Sequence, residues 1–283
     1  MVADLIELTK PRIVTLVMVT AAAGAWLAGP SPAQAMVLFH LLVGTVLVAA
    51  GTNALNQVAE RDVDALMRRT RARPLPAGRL DLRVATTVAW GAGAAGVAYL
   101  VAFVNLLTAS LAALTLLSYV FVYTPLKRRS SLATLVGAVP GALPILGGWT
   151  AIAGGLHAEA WVLFWIMFLW QLPHFLALAW LYREDYRRAQ LRMLSVDDDD
   201  GRATFLYASL YAGALIPVAL AATVVGLAGG VYFIGALALS GGFLLAALAA
   251  ARRRTPEAAR RLFRVSLAYL PLLLVLMAAD RLP

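Results

Sequence analysis

Three oxygen-bearing side chains recur at a fixed spacing just after the second apolar segment of the chain. Asn56, Glu60 and Asp64 lie four residues apart. If the helix continues through them, each step turns by only about 40° and rises by roughly 6 Å, so that they form one stripe. Amide and carboxylate oxygens suit Mg²⁺, a hard cation whose shell is usually completed by substrate phosphates and water. The spacing therefore predicts a site for a divalent cation and a phosphate-bearing substrate.

Basic residues follow this stripe closely. Arg69 and Arg73 carry guanidinium groups that can bind phosphate oxygens through two hydrogen bonds each. The competing interpretation is a solvated loop at the membrane surface whose charges set topology and pair with one another. Asn56 favours a functional site, because an amide at the membrane end of a helix costs free energy unless it is used.

A second acidic element follows the sixth apolar segment. Glu184 and Asp185 stand there, and the predicted topology puts them at the same membrane face as the first stripe. His174 lies about two to three turns earlier, on a helix that Pro173 is expected to bend. The two acidic helix ends are therefore predicted to share one site.

The elements that carry these residues are apolar helices. The 283 residues are 61% hydrophobic and 14% charged, too apolar for a soluble domain of this length. We predict an all-α membrane protein made of one domain, residues 1–283, with nine transmembrane helices. The predicted spans are 13–29, 36–58, 84–104, 107–123, 131–150, 159–181, 205–226, 231–250 and 264–280.

The distribution of charge predicts orientation and excludes several functions. Nine spans place 23 of the 24 Lys and Arg residues on one side, with Arg281 alone opposite. Because positive loops stay in the cytoplasm, the N-terminus is expected inside and the C-terminus outside.

The same charges argue against several other functions. The arginines are dispersed over membrane loops, which argues against nucleic-acid binding. No span carries an unpaired charge near its predicted middle, which argues against ion-coupled transport. The absence of cysteine excludes a thiolate metal site.

Three sequence elements together resemble a known family. The Asn56–Glu60–Asp64 stripe, the run from Arg69 to Leu75 (Arg-Thr-Arg-Ala-Arg-Pro-Leu) and a second acidic element together resemble the UbiA-type intramembrane prenyltransferases. Four further stretches resemble the branch of that family that farnesylates heme: Thr9 to Arg12, Tyr123 to Arg128, Gly141 to Trp149, and His174 to Val196. The resemblance is dense over residues 5–200, and the last three spans match only in hydropathy.

The resemblance implies an activity, a cofactor and partners. It implies transfer of a farnesyl group from farnesyl diphosphate to a vinyl group of protoheme IX, with Mg²⁺ as cofactor, in the cell inner membrane. A heme A synthase or a terminal oxidase would be a partner in the same pathway. Two alternatives stay open: another prenyltransferase of this family with a quinone-precursor or chlorin acceptor, and a membrane carrier without chemistry. Ala189 stands where the wider family has a second Asp, a form that resembles the heme branch.

The resemblance also implies roles for individual residues. The catalytic set is Asn56, Glu60, Asp64, His174 and Asp185; the metal ligands are Asn56, Glu60, Asp64, Asp185 and Glu184, the last as a substitute for the missing Asp; the diphosphate contacts are Lys10, Arg12, Arg69, Arg73, Tyr123 and Lys127. Each basic side chain could instead extend to the membrane surface only for its own hydration. His174 could bind heme iron or a propionate, steer a water molecule, or make a structural hydrogen bond within the bundle.

Overall fold

The computed structural model describes residues 1–282, and within this range the regular structure is helical, with no strand. The helices are α1 (Val2–Leu8), α2 (Pro11–Leu27), α3 (Ala35–Ala59), α4 (Arg61–Leu66), α5 (Leu82–Phe103), α6 (Leu106–Leu117), α7 (Thr124–Leu126), α8 (Ala133–Ala153), α9 (Ala158–Leu181), α10 (Arg183–Arg188), α11 (Leu194–Asp197), α12 (Arg202–Val224), α13 (Gly230–Arg253) and α14 (Pro256–Ala279). A short 3₁₀ turn (Pro32–Gln34) precedes α3, and a π-helical segment (Ser118–Tyr123) joins α6 to α7.

Each predicted span coincides with a long apolar helix. Eight such stretches in the described part of the chain are long and apolar enough to cross a membrane, and α6, the π segment and α7 form one of them. The ninth is α2, which is apolar but has 17 residues, near the lower limit for crossing a bilayer. The prediction of an all-α, multi-pass membrane protein is confirmed.

Two predicted spans differ from the helices at their charged ends. The predicted span 231–250 ends shortly before Arg252, whereas α13 runs on to Arg253, and the predicted span 264–280 begins at Arg264, whereas α14 starts at Pro256. Thr255 caps α14, because its hydroxyl accepts a hydrogen bond from the Ala258 backbone N–H, and proline suits the first helical position. Hydropathy marks the apolar part of a helix, while the caps mark where the helix itself begins and ends.

The long helices form two bundles that meet at α8. The first bundle contains α2, α3, α5, α6 and α8, and the second contains α9, α12, α13 and α14. Within the first bundle, α3 packs along α5 through small residues: a side chain at Gly51 would collide with the backbone of Gly93 and Ala89. Close contact between small residues is the usual way that helices associate in a membrane.

The N-terminus and the connections after α3, α7, α9 and α13 lie at one end of the molecule, which we call the polar end. Ion pairs between side chains connect these segments. Arg254, after α13, binds Asp200, before α12, at 2.8 Å, and further pairs at this end are described with the site. At the opposite end, Arg281 donates to the carbonyl oxygen of Trp26 at 3.3 Å. The predicted one-sided distribution of charge thus corresponds to one physical end of the fold.

A separate apolar cluster at the polar end joins the two acidic elements. Side chains from α4 and the residue that follows it pack with side chains from the end of α9 and from the loop around α10. The buried members are Val63, Met67, Ala179, Tyr186, Ala189, Leu191 and Met193. Burial of apolar area here stabilises the contact and holds Asp64 and Asp185 on neighbouring segments.

Candidate active site

The predicted oxygen stripe forms, although the helix breaks within it. α3 ends at Ala59 and α4 begins at Arg61, with Glu60 between them. Helical hydrogen bonding nevertheless continues through the break, because Glu60 N–H donates to the Asn56 carbonyl at 2.9 Å and Asp64 N–H donates to the Glu60 carbonyl at 2.7 Å. All three stripe residues are buried, with 1%, 8% and 1% of the surface of Asn56, Glu60 and Asp64 exposed.

Asn56 is held by groups from two other helices. Lys10 Nζ donates to its Oδ1 at 2.8 Å, and its Nδ2 donates to Thr124 Oγ1 at 3.2 Å. Lys10 sits just before α2 with φ at 53°, a left-handed conformation that costs a non-glycine residue free energy. Burial of the ammonium group lowers the pKa of Lys10 to about 7, and the nearby Arg73 charge acts in the same direction.

Glu60 forms an ion pair with Lys127. The Lys127 Nζ lies 2.8 Å from Glu60 Oε1 and 4.4 Å from the centre of the Tyr123 ring, so the ammonium has an ionic and an aromatic partner. Burial acts to raise the pKa of Glu60, yet that pKa is lowered overall because Lys127 and Lys10 favour the carboxylate. Burial likewise opposes the charge of Lys127, yet its pKa is raised because Tyr123 and Glu60 favour the ammonium form.

Asp64 forms the third pair. Arg73 Nη1 donates to its Oδ2 at 2.6 Å, and the side chain of Thr70 donates to its backbone carbonyl at 2.8 Å. The carboxylate side chain is 1% exposed and the arginine side chain 24% exposed, so the pair is largely shielded from water. Each residue of the stripe therefore binds one basic side chain, and the three basic side chains come from three different segments of the chain.

The second acidic element contributes Asp185 but not Glu184. The Arg68 backbone N–H donates to Asp185 Oδ1 at 3.3 Å, which links this carboxylate directly to the loop after α4. Glu184 points elsewhere: its side chain is 61% exposed and binds Arg187 at 2.6 Å. Adjacent helical residues point some 100° apart, so only one of the two side chains can face the loop after α4.

The remaining predicted residues divide between the site and other places. Arg69 lies over the rings of Tyr182 and Tyr186, 5.1 and 5.6 Å from their centres, and its Nη2 donates to the Tyr186 hydroxyl at 3.4 Å. Burial raises the pKa of Tyr186, so its hydroxyl stays protonated. Arg12 is exposed at the start of α2 and has no hydrogen bond or ion pair from its side chain within residues 1–282.

His174 faces the second bundle. Its ring lies between Trp170 and Phe263, with ring centres 5.4 and 4.7 Å away, and its Nδ1 is 2.7 Å from Ser266 Oγ on α14. The Ser266 hydroxyl also donates to the Phe263 carbonyl at 2.6 Å. Because that hydroxyl has a single proton, Nδ1 is the donor to Ser266, and the imidazole bridges α9 to α14.

No group of three or more His, Asp or Glu side chains within residues 1–282 is close enough to hold one metal ion by itself. Each residue of the stripe is instead bound to one basic side chain.

Two residues at the polar end were not among the predicted site residues. Thr124 contacts Asn56, and Asn53 lies one turn before Asn56 on the same helix; the signal for Asn53 was the three-residue spacing that extends the stripe inwards.

Comparisons with known proteins agree with this architecture. Residues 17–271 match the UbiA prenyltransferase family. The protoheme IX farnesyltransferase of Solibacter usitatus is 46% identical over 98% of each chain, and that of Salinibacter ruber is 43% identical over 99% of each.

Solved structures share the fold at lower identity. A digeranylgeranylglyceryl phosphate synthase superposes with a TM-score of 0.83 at 14% identity, covering 99% of this chain and 98% of the other. A UbiA homologue from Archaeoglobus fulgidus bound to DMAPP and Mg²⁺ superposes with a TM-score of 0.68 at 14% identity, covering 97% and 99%.

Proposed function

The chain belongs to the UbiA prenyltransferase family, and we propose that it transfers a farnesyl group from farnesyl diphosphate to a vinyl group of protoheme IX. Full-length relatives at 41–46% identity, named as protoheme IX farnesyltransferases, support this substrate pair. The products would be diphosphate and a heme that carries a hydroxyethylfarnesyl group.

The observation that carries this proposal is the buried array of oxygen donors and cations at the polar end. Lys10, Arg73 and Lys127 place three basic side chains within 2.6–2.8 Å of the stripe. A diphosphate that enters here can accept hydrogen bonds from the same three side chains. Arg69 lies over the ring of Tyr186, the residue that follows Asp185. Fixed donors aimed at a leaving group stabilise the charge that develops on it.

The donor set also fits Mg²⁺. The ligands would be the hard oxygen atoms of one amide and three carboxylates, from Asn56, Glu60, Asp64 and Asp185. They do not form a complete protein cage, which suits an ion that takes one or two carboxylates and completes its shell with substrate phosphates and water. Mg²⁺ bound there would neutralise negative charge on the leaving diphosphate. Glu184 is left out of this ligand set because it points to solvent.

The chemistry then needs binding and orientation more than a nucleophilic side chain. The C1–O bond of farnesyl diphosphate breaks while the terminal vinyl carbon of the heme bonds to C1. The cation left on the adjacent vinyl carbon takes up water and loses a proton. The chain holds the two substrates in line and keeps other water away until the new carbon–carbon bond has formed.

We further propose that the polar end faces the cytoplasm in the cell inner membrane, with the N-terminus inside and the C-terminus outside. The basic loops at that end support this orientation. Farnesyl diphosphate, a charged molecule, would then reach the site from the cytoplasm. The farnesyl tail of the product is apolar and anchors it in the membrane, which suits transfer to a heme A synthase or to assembly of a terminal oxidase.

A product assay tests the proposal. Purified protein in lipid receives Mg²⁺, farnesyl diphosphate and reduced protoheme, with and without a chelator, and products are identified by mass spectrometry. We expect hydroxyethylfarnesyl heme that disappears with the chelator. Farnesylation of an aromatic acceptor but not of heme would move the enzyme to another branch of the family. Uptake of both ligands without any conversion would support a carrier instead.

A further inference from the structure

Asn53 is a buried amide without a hydrogen-bonding partner. It is 6% exposed, and its side chain makes no hydrogen bond within residues 1–282. In the same range, the fully enclosed polar atoms without a partner are Gln57 Oε1 and Thr204 Oγ1, so the amide atoms of Asn53 are not completely enclosed. A buried amide without a partner costs free energy. The polar end of Asn53 therefore borders a small space that water can reach.

This space lies on the site face of α3. Asn53 is about 60° from Asn56 around the helix and roughly 4.5 Å deeper along it. Gly51, which meets Gly93 of α5, lies about 160° away from Asn53. Asn53 therefore points away from α5 and towards the interior of the first bundle, one turn beyond the groups proposed to bind diphosphate.

Three other polar side chains, from α3 and α9, have partners. Thr52 Oγ1 donates to the Val48 carbonyl at 2.7 Å, within the same helix. Gln171 Nε2 donates to the Ala138 carbonyl at 2.8 Å. His174 is held by α14, as described above. The Gln57 amide, one turn after Asn53, donates through Nε2 to the Leu8 carbonyl at 2.7 Å, although its Oε1 has no partner. Asn53 is thus a buried polar side chain on the site face that forms no hydrogen bond with residues 1–282.

We propose that Asn53 is a positioning residue that holds the water molecule which adds to the heme-linked carbocation. The inference rests on the proposed function. An anchored diphosphate puts the reacting carbon on its membrane side, where Asn53 lies. A carboxamide can accept a hydrogen bond from water through Oδ1 and donate one through Nδ2, so it can orient a water oxygen without changing its own charge.

The step balances without any further reactant. The water oxygen forms a bond to the cationic carbon, and one of its protons passes to the departing diphosphate, which is an oxyanion. Asn53 gains and loses no proton. If the water is not held, the same cation loses a proton from the neighbouring carbon instead. That route gives a farnesylated heme with a double bond, lighter than the hydroxylated product by one water molecule.

The ratio of these two products tests the inference. Asn53→Leu removes the amide while keeping a side chain of similar size, and Asn53→Ala serves if the leucine variant does not fold. We expect the ratio of hydroxylated to dehydrated product to fall by roughly tenfold, which corresponds to about 1.4 kcal/mol in relative barriers. Thr52→Val is the matched control, since it removes a buried hydroxyl from the same turn, and we expect it to leave the ratio unchanged.

The outcomes separate this inference from the function on which it rests. A purely structural role for Asn53 would lower the amount of folded protein but not the product ratio. An unchanged ratio in both Asn53 variants, with hydroxylated product from the wild type, overturns the inference alone. If the wild-type protein forms neither farnesylated heme, the proposed function fails and the inference fails with it.

Discussion

The two bundles bury polar groups in different ways. In the first bundle and its polar end, the buried carboxylates of Glu60 and Asp64 form salt bridges with basic side chains from other segments. In the second bundle, the buried polar side chains from residue 202 to residue 282 are hydroxyls, and all of them except Thr204 bind neighbouring carbonyls or other side chains. Hydroxyl pairs satisfy a packed membrane interior at little cost, whereas buried charges are costly to retain. The comparison therefore assigns chemistry to the first bundle and support to the second.

The largest effect is expected at Asp64. Asp64→Asn should lower turnover by at least about a thousandfold while the protein stays folded and inserted, because the variant loses the charge of a proposed metal ligand. Asp62→Asn is the matched control, since the Asp62 side chain is 76% exposed and pairs with the neighbouring Arg61. Turnover and thermal unfolding of both variants would be measured in the same lipid. Normal turnover of Asp64→Asn would remove the proposed metal site.

A stability effect is expected at the Glu60–Lys127 pair. Lys127→Met leaves a buried carboxylate without its cation, which should lower the free energy of unfolding by about 3 kcal/mol. Adding Glu60→Gln to it should restore most of this loss without restoring turnover. Arg187→Met, which breaks the exposed pair with Glu184, should change stability by less than about 0.5 kcal/mol. Equal effects of the two single variants would contradict the distinction between buried and exposed pairs.

A smaller effect is expected in the second bundle. Ser240 Oγ and Tyr269 Oη lie 2.9 Å apart, both buried. Ser240→Ala should lower stability by about 1 kcal/mol, the usual net contribution of such a hydrogen bond, and leave turnover unchanged. Unfolding and turnover measured on one preparation would test both parts. A large loss of turnover at unchanged stability would contradict the view that the second bundle only supports the first.

The smallest effect is expected at Glu184. Its side chain is exposed and paired with Arg187, so Glu184→Gln should change turnover by less than about twofold. Asp185→Asn in the neighbouring position should lower turnover at least about tenfold, because Asp185 faces the loop after α4. Reversed effects would mean that the acidic element presents Glu184 to the site during turnover.

The helices and the stripe could be predicted from the sequence because both depend on local spacing. Apolar runs mark the spans, and residues four apart share one helix face whether or not Glu60 interrupts the helix. The pairing of each oxygen with one cation could not be predicted. Lys10, Arg73 and Lys127 come from segments far apart in the chain, and only the packed fold decides which carboxylate or amide each one reaches.

Two orientations also depended on tertiary structure. The sequence placed Glu184 beside Asp185 but held no information on which of them would face α4. His174 lay near the acidic element in the sequence, and its direction depends on how α14 packs against α9, a contact between residues 92 positions apart. Asn53 was visible as a polar residue in an apolar span, but the lack of a partner for its amide is a property of the fold.

Direct binding of diphosphate to the polar end tests the central claim. The affinity of an unreactive farnesyl diphosphate analogue would be measured by calorimetry with and without Mg²⁺, for the wild-type protein, Asp64→Asn and the control Asp62→Asn. We predict tight binding that needs Mg²⁺, is retained in Asp62→Asn and is lost in Asp64→Asn. Equal, Mg²⁺-dependent binding by all three proteins would show that the buried stripe is not where the diphosphate binds.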